Sequence, residues 1–176
     1  MGDPKHPKKK YQTPDHPWQR ARLEEEAVIK KDFGLKTKTE IWKLRSKWRA
    51  WARQAKKLAS LHTLQSDKEK KQILDKLNKY GLVEKNATLN DVLAIELKDI
   101  FDRRLQSVVF TKKLARTMKQ ARQFIVHKHI LVNGKTITTP SYLVSSSEES
   151  TIAFVVNSSL YNPDHPERVH EDGKKQ

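Results

Sequence analysis

The chain of 176 residues carries 36 Lys and Arg against 21 Asp and Glu, a net charge of +15, with 36% hydrophobic residues and no cysteine. That apolar supply is thin for one large enzyme domain and suits small helical modules joined to charged, solvated segments. Without cysteine there are no disulfides, cysteine zinc sites or thiol catalysis, and no apolar run is long enough to span a bilayer.

Residues 1–16 are rich in proline and lysine, with Lys8-Lys9-Lys10 and few aliphatic side chains. They read as a basic extended arm, disordered when free, because they bury too little to offset their ordering entropy. No apolar stretch follows Met1 to Tyr11, so this is not expected to be a secretory signal. Asp15 and Pro17 predict the start of a first helix, with a weak stripe of Leu23, Ala27 and Ile29 and a stop at Gly34. Glu24-Glu25-Glu26 reads as a run on its surface.

Thr37 and Glu40 have capping-box spacing ahead of a second helix. In it Ile41, Leu44, Trp48, Trp51, Ala55 and Leu58 recur at spacings of three and four, which is one helical face. Trp48 and Trp51 therefore read as core, while Trp42 lies off the stripe and stays open between core and base stacking. Ser66 and Glu69 predict the cap of a third helix carrying Ile73, Leu74 and Leu77, ended by Gly81. Thr88 and Asp91 begin another, and Leu97 to Phe110 reads as one further helix. Thr117 and Gln120 cap a helix with Ala121, Phe124 and Ile125 on its buried side. The period then changes: Ile130 and Val132 alternate, Asn133-Gly134 is a two-residue hairpin turn, and Ile137 resumes. Tyr142 to Val144 and Thr151 to Val156 read as strands separated by a loop at 145–150, and from Asn157 the pattern is lost. The fold class is α+β: an arm (1–16), a helical domain (17–100), a small domain of helices on an antiparallel sheet (101–157) and a polar tail (158–176).

Charge is unevenly spread. Residues 1–60 are net +10, 61–102 net −1, 103–135 net +9 and 136–176 net −3. The third block has nine cations and no acid, a self-repelling arrangement that a polyanion would relieve. Two basic blocks around a neutral one suggest two contact surfaces, although charge alone does not separate nucleic acid from a membrane surface.

Within that block stand Arg103-Arg104-Leu105-Gln106, Val109-Phe110, Lys113-Leu114-Ala115, Gln120-Ala121-Arg122-Gln123-Phe124-Ile125, His127-Lys128-His129-Ile130, Val132-Asn133-Gly134-Lys135 and Pro140-Ser141-Tyr142. Together they resemble the alpha-L RNA-binding domain, named after small-subunit ribosomal protein four. The flanks, Met1-Gly2-Asp3-Pro4, Lys9-Lys10-Tyr11, His16-Pro17-Trp18, Gly34-Leu35-Lys36 and Glu40-Ile41-Trp42, resemble the archaeal and eukaryotic branch of that family. Gln106 stands where the bacterial branch usually has Asp, Lys112-Lys113 replaces a glycine-containing turn, and Lys128 replaces a glycine between the histidines. The cysteine zinc knuckle of some bacterial members is absent, so no metal is implied.

The resemblance implies a structural constituent of the small ribosomal subunit in the cytoplasm. It would bind small-subunit rRNA directly, nucleate assembly, touch neighbouring ribosomal proteins and contribute to translational accuracy. No cofactor, membrane partner or homo-oligomer is expected. Binding is expected at Arg45, Arg49, Arg53 and Lys56, and at Arg103, Arg104, Lys112, Lys113, Arg116, Lys119, Arg122, His127, Lys128, His129, Asn133, Gly134 and Lys135. The four arginines from 103 to 122 would fork onto phosphates and the lysines would act as point charges. A salt bridge for Arg122 is opposed by the lack of any acid from 103 to 135. Asn133-Gly134 reads equally as turn chemistry or RNA contact. His127 and His129 lack the further ligands that a metal needs, and no residue cluster supports catalysis. The rivals are an accessory protein of an RNA-modifying enzyme, another RNA-binding factor with this domain, or a DNA-binding helix-turn-helix protein.

Overall fold

The computed structural model describes residues 2, 8–162 and 165–168; the expected arm therefore lies partly outside them. The helices are α1 (Arg20–Asp32), α2 (Lys38–Ala59), α3 (Leu64–Lys79), α4 (Leu89–Ala94), α5 (Leu97–Asp102), α6 (Leu105–Thr111), α7 (Met118–Val126) and α8 (Ser146–Glu149). The strands β1 (Ile130–Val132), β2 (Lys135–Thr136) and β3 (Ala153–Phe154) form an antiparallel sheet in the order β2-β1-β3. This is an α+β fold with two apolar cores. One gathers Ile41, Leu44, Trp51, Ile73, Leu77 and Phe101 from the helical half. The other packs Leu105, Val109, Phe124 and Ile125 of α6 and α7 onto Ile130, Val132 and Phe154 of the sheet.

The stripe on α2 is buried as its period dictates. Trp51 is buried, and half-buried Trp48 donates its indole N–H to the Ile95 carbonyl at 2.8 Å. Trp42, left open by the sequence, is half-buried and donates to Glu26 at 3.0 Å. Glu26 itself is fully buried, unlike the surface run expected for it. Its carboxylate is held by Arg22 at 2.6 Å and Lys38 at 3.6 Å, while Ala27 of the expected stripe faces solvent.

Four helices, α1, α3, α6 and α7, end in the same hydrogen-bonded cap. In each, the residue after the C-cap adopts a left-handed conformation and the next N–H reaches back five residues, as Leu35 does to Lys30 and His129 to Phe124. Glycine supplies that conformation at Gly34 and Gly81, but lysine does so at Lys113 (φ 56°) and Lys128 (φ 66°). These are the two places where the sequence departs from a glycine pattern; the backbone keeps the turn.

Several expected boundaries move for identifiable reasons. Leu97 to Phe110 is two helices, because Leu105 donates to the Tyr142 carbonyl at 2.8 Å and Val144 to that of Arg103 at 3.0 Å. Tertiary pairing with segment 140–144, which forms a single bridge from Leu143 to Arg104 and no strand, overrides the helical period. The first helix begins at Arg20 without a side-chain cap, and the third is capped by Thr63 with Ser66, three residues earlier than expected. Thr37 makes no side-chain cap bond, its hydroxyl pairing with that of Thr39 at 2.7 Å, and the reciprocal half of the box is lost because the Glu40 carboxylate is engaged elsewhere. Gln120 does not complete its box: it accepts from the Arg116 N–H instead. Ser145 and Glu148 form a capping box that turns the expected loop at 145–150 into α8. Beyond β3 the chain still contributes to the core, with Leu160 buried in a short helical turn.

Candidate nucleic-acid interface

The two cores are joined through α2, α6 and α7 at a buried charge cluster. Arg104, 1% exposed, donates to Glu40 at 2.6 Å and lies over the Phe101 ring. Arg122 reaches the same carboxylate at 3.1 Å. Burial works to raise the Glu40 pKa, but the hydrogen bonds and charges of Arg122 and Arg104 outweigh it and hold the carboxyl below its ordinary value. Burial lowers the Arg104 pKa, and its Nε and Nη1 find no further partner. Beside this cluster the Gln106 amide donates to the carbonyls of Phe33 (3.1 Å), Gly34 (3.4 Å) and Met118 (2.8 Å), fastening the end of α1 to the start of α7.

This geometry overturns the expectation that Arg122 has no acid to pair with, and it places Arg104 in the interior. Arg104 is inside the protein and does not face a ligand. Arg122 is salt-bridged, and Arg103 pairs with Glu149 at 2.8 Å while donating to the Gly81 carbonyl. Arg116 donates to the carbonyls of Pro166 and Arg168, and Lys112 to that of Glu149. The argument from a missing local acid failed because folding brings in Glu40 from 82 residues away and Glu149 from 46.

The exposed lysines of this domain remain. Lys113, Lys119, Lys128 and Lys135 have no ion-pair partner among the described residues. Lys113 and Lys128 are lifted on the two left-handed helix ends, Lys119 lies on the first turn of α7, and Lys135 leads off β2. Asn133 (φ 49°) and Gly134 (φ 73°) form the hairpin turn with Val132 opposite Lys135. The Asn133 side chain accepts from Thr151 at 2.7 Å, so it serves the turn. His127 is exposed at the end of α7; His129 is half-buried with Nδ1 2.7 Å from the Ser158 hydroxyl. No three His, Asp or Glu side chains gather in a metal-holding group among the described residues.

On α2, Arg45, Arg49, Arg53 and Lys56 fall on one arc away from the buried stripe, as spacings near four residues require. None has an ion-pair partner among the described residues. Guanidinium groups without acidic partners therefore sit on α2, and the unpaired charges on the domain from 103 onward include the single charges of its lysines. Sequence reasoning omitted the end of the arm from this surface. The Gln12 N–H donates to Ser46 at 2.9 Å, and Tyr11 lies 6.3 Å from Trp42 beneath the Lys43 ammonium. Lys8, Lys9 and Lys10 thereby join the α2 cations along shallow clefts; the lysine run was the available signal.

The S4 domain model matches residues 103–150. The chain is 50% identical over 170 residues to small ribosomal subunit protein uS4 of Methanococcus aeolicus, covering 96% of each. It is 48% identical, at the same coverage, to the proteins of that name from Methanococcus maripaludis and Methanococcus vannielii. Similarity of this degree spans both the domain carrying the lysines and the α2 face, so the chain belongs to the uS4 family of small-subunit ribosomal proteins.

Proposed function

We propose that this chain acts as a structural protein of the small ribosomal subunit, binding its rRNA through two cationic faces held rigidly together. The observation that carries this reading is a set of cations without acidic partners among the described residues: half-buried Arg45 and exposed Arg49, Arg53 and Lys56 on α2, with exposed Lys113, Lys119, Lys128 and Lys135 on the S4 domain. Cations held apart from their own acids are placed to displace counterions from a phosphate backbone. A-form RNA hides its base edges, so these faces would read phosphates, 2′-hydroxyls and shape. A structural role accords with the 50% identity to uS4 of Methanococcus aeolicus across 96% of both chains. Two cationic faces also suit a protein that draws rRNA segments together early in cytoplasmic assembly, and contact with neighbouring proteins and an influence on accuracy accord with that placement. Salt bridges engage Arg103 and Arg122, so these contribute through positioning rather than direct contact.

The test is binding of the full-length chain to small-subunit rRNA in the presence of excess duplex DNA, followed by sedimentation with assembling subunits. Retention on rRNA and co-sedimentation are expected. Equal competition by duplex DNA would refute the reading.

A further inference from the structure

Between the arm and α2 lies a cleft of about 540 Å³, within the size range of sites that hold small molecules. Its aromatic wall is Tyr11 and Trp42, and the Trp42 indole is fixed in place by its bond to Glu26. Arg45 and Arg49 also line it, without acidic partners among the described residues. Gln12, Gln19 and Asp15 add to the lining side chains that can donate to and accept from a base edge. Arg22 anchors the arm as the other wall, donating to the His16 carbonyl at 3.1 Å and that of Pro17 at 2.6 Å.

We propose that this cleft receives one unpaired nucleotide of the small-subunit rRNA, its base against Tyr11 and Trp42 and its phosphates on Arg45 and Arg49. The inference rests on the rRNA-binding reading above. A phosphate backbone alone would need the cations but not the aromatic wall, and the Asp15 carboxylate would oppose it. Unstacked bases seat on aromatic rings and offer edges to amides and carboxylates, which paired bases in a duplex do not.

Chemical probing of base edges on small-subunit rRNA bound to the full-length chain tests this. At saturating wild-type protein, an unpaired nucleotide should become protected at its base edge. Tyr11→Leu and the double variant Arg45→Gln/Arg49→Gln should lose that protection and bind about tenfold more weakly, with unchanged thermal melts, while Tyr11→Phe keeps it. Lys113→Gln/Lys128→Gln should weaken binding yet retain the protection at saturation. Protection that persists in both cleft variants would overturn the proposal and leave the rRNA reading standing; failure of wild-type protein to bind the rRNA would overturn both. Saturable binding of adenosine or uridine monophosphate as tight as that of the rRNA would make a free nucleotide the occupant, against the proposal.

Discussion

Glu40 decides more of this molecule than any cation around it. It is the counterion of a buried guanidinium and of Arg122, and it joins α2 to the S4 domain. Glu40→Gln leaves Arg104 buried without its partner and should destabilise the protein by about 3 kcal/mol, read by denaturant unfolding. The pH dependence follows from the lowered pKa. A carboxyl whose folded pKa is depressed contributes stability above its unfolded value, about 4.3. That contribution disappears as pH falls through the folded value, when the folded protein takes up the proton. Wild-type stability should fall steeply below pH 4 or so, with a shallower acid limb in Glu40→Gln. Lys128 makes the opposite compromise: its left-handed backbone costs stability that glycine would not, while lifting a cation into solvent. Lys128→Gly should raise stability by roughly 1 kcal/mol and weaken rRNA binding, seen by thermal melts and filter binding together.

Among the elements, α2 shows most plainly how sequence becomes function. One helical period buries Ile41, Leu44, Trp51, Ala55 and Leu58 and leaves Arg45, Arg49, Arg53 and Lys56 on another arc. Arg45→Gln/Arg49→Gln/Arg53→Gln should leave helicity unchanged. It should flatten the slope of log K against log salt by about 2, at roughly 0.7–0.9 per lost phosphate contact; an unchanged slope would remove α2 from the interface. The α2 face and the Asn133-Gly134 hairpin were legible because both are local patterns. The break between α5 and α6 was not, since it depends on hydrogen bonds exchanged between residues 103–106 and residues 140–144. The arginines of the basic block misled for the same reason: Glu40 and Glu149 are remote in sequence and adjacent in the fold. Glu26, in an exposed-looking acidic run, is buried because Arg22, Lys38 and Trp42 converge on it.

At the scale of the molecule, two small cores are made into one scaffold by polar groups. Gln106 donates to three carbonyls, two at the end of α1 and one at the start of α7. Gln106→Glu keeps the shape, removes the donors and sets a carboxylate among carbonyl oxygens. Its cost should exceed about 2 kcal/mol, with affinity for rRNA falling at constant charge on both faces, because their spacing is then no longer fixed. The central claim, that two cationic faces act on one rRNA, is tested most directly by the salt dependence of binding to small-subunit rRNA for the wild-type chain and for variants neutralised on each face. The eight cations named on α2 and the S4 domain predict a contribution to the wild-type slope near −6, at about −0.7 to −0.9 per phosphate, with each face supplying about half. A nearly flat wild-type response, or a slope left undiminished by neutralisation of either face, would contradict the account.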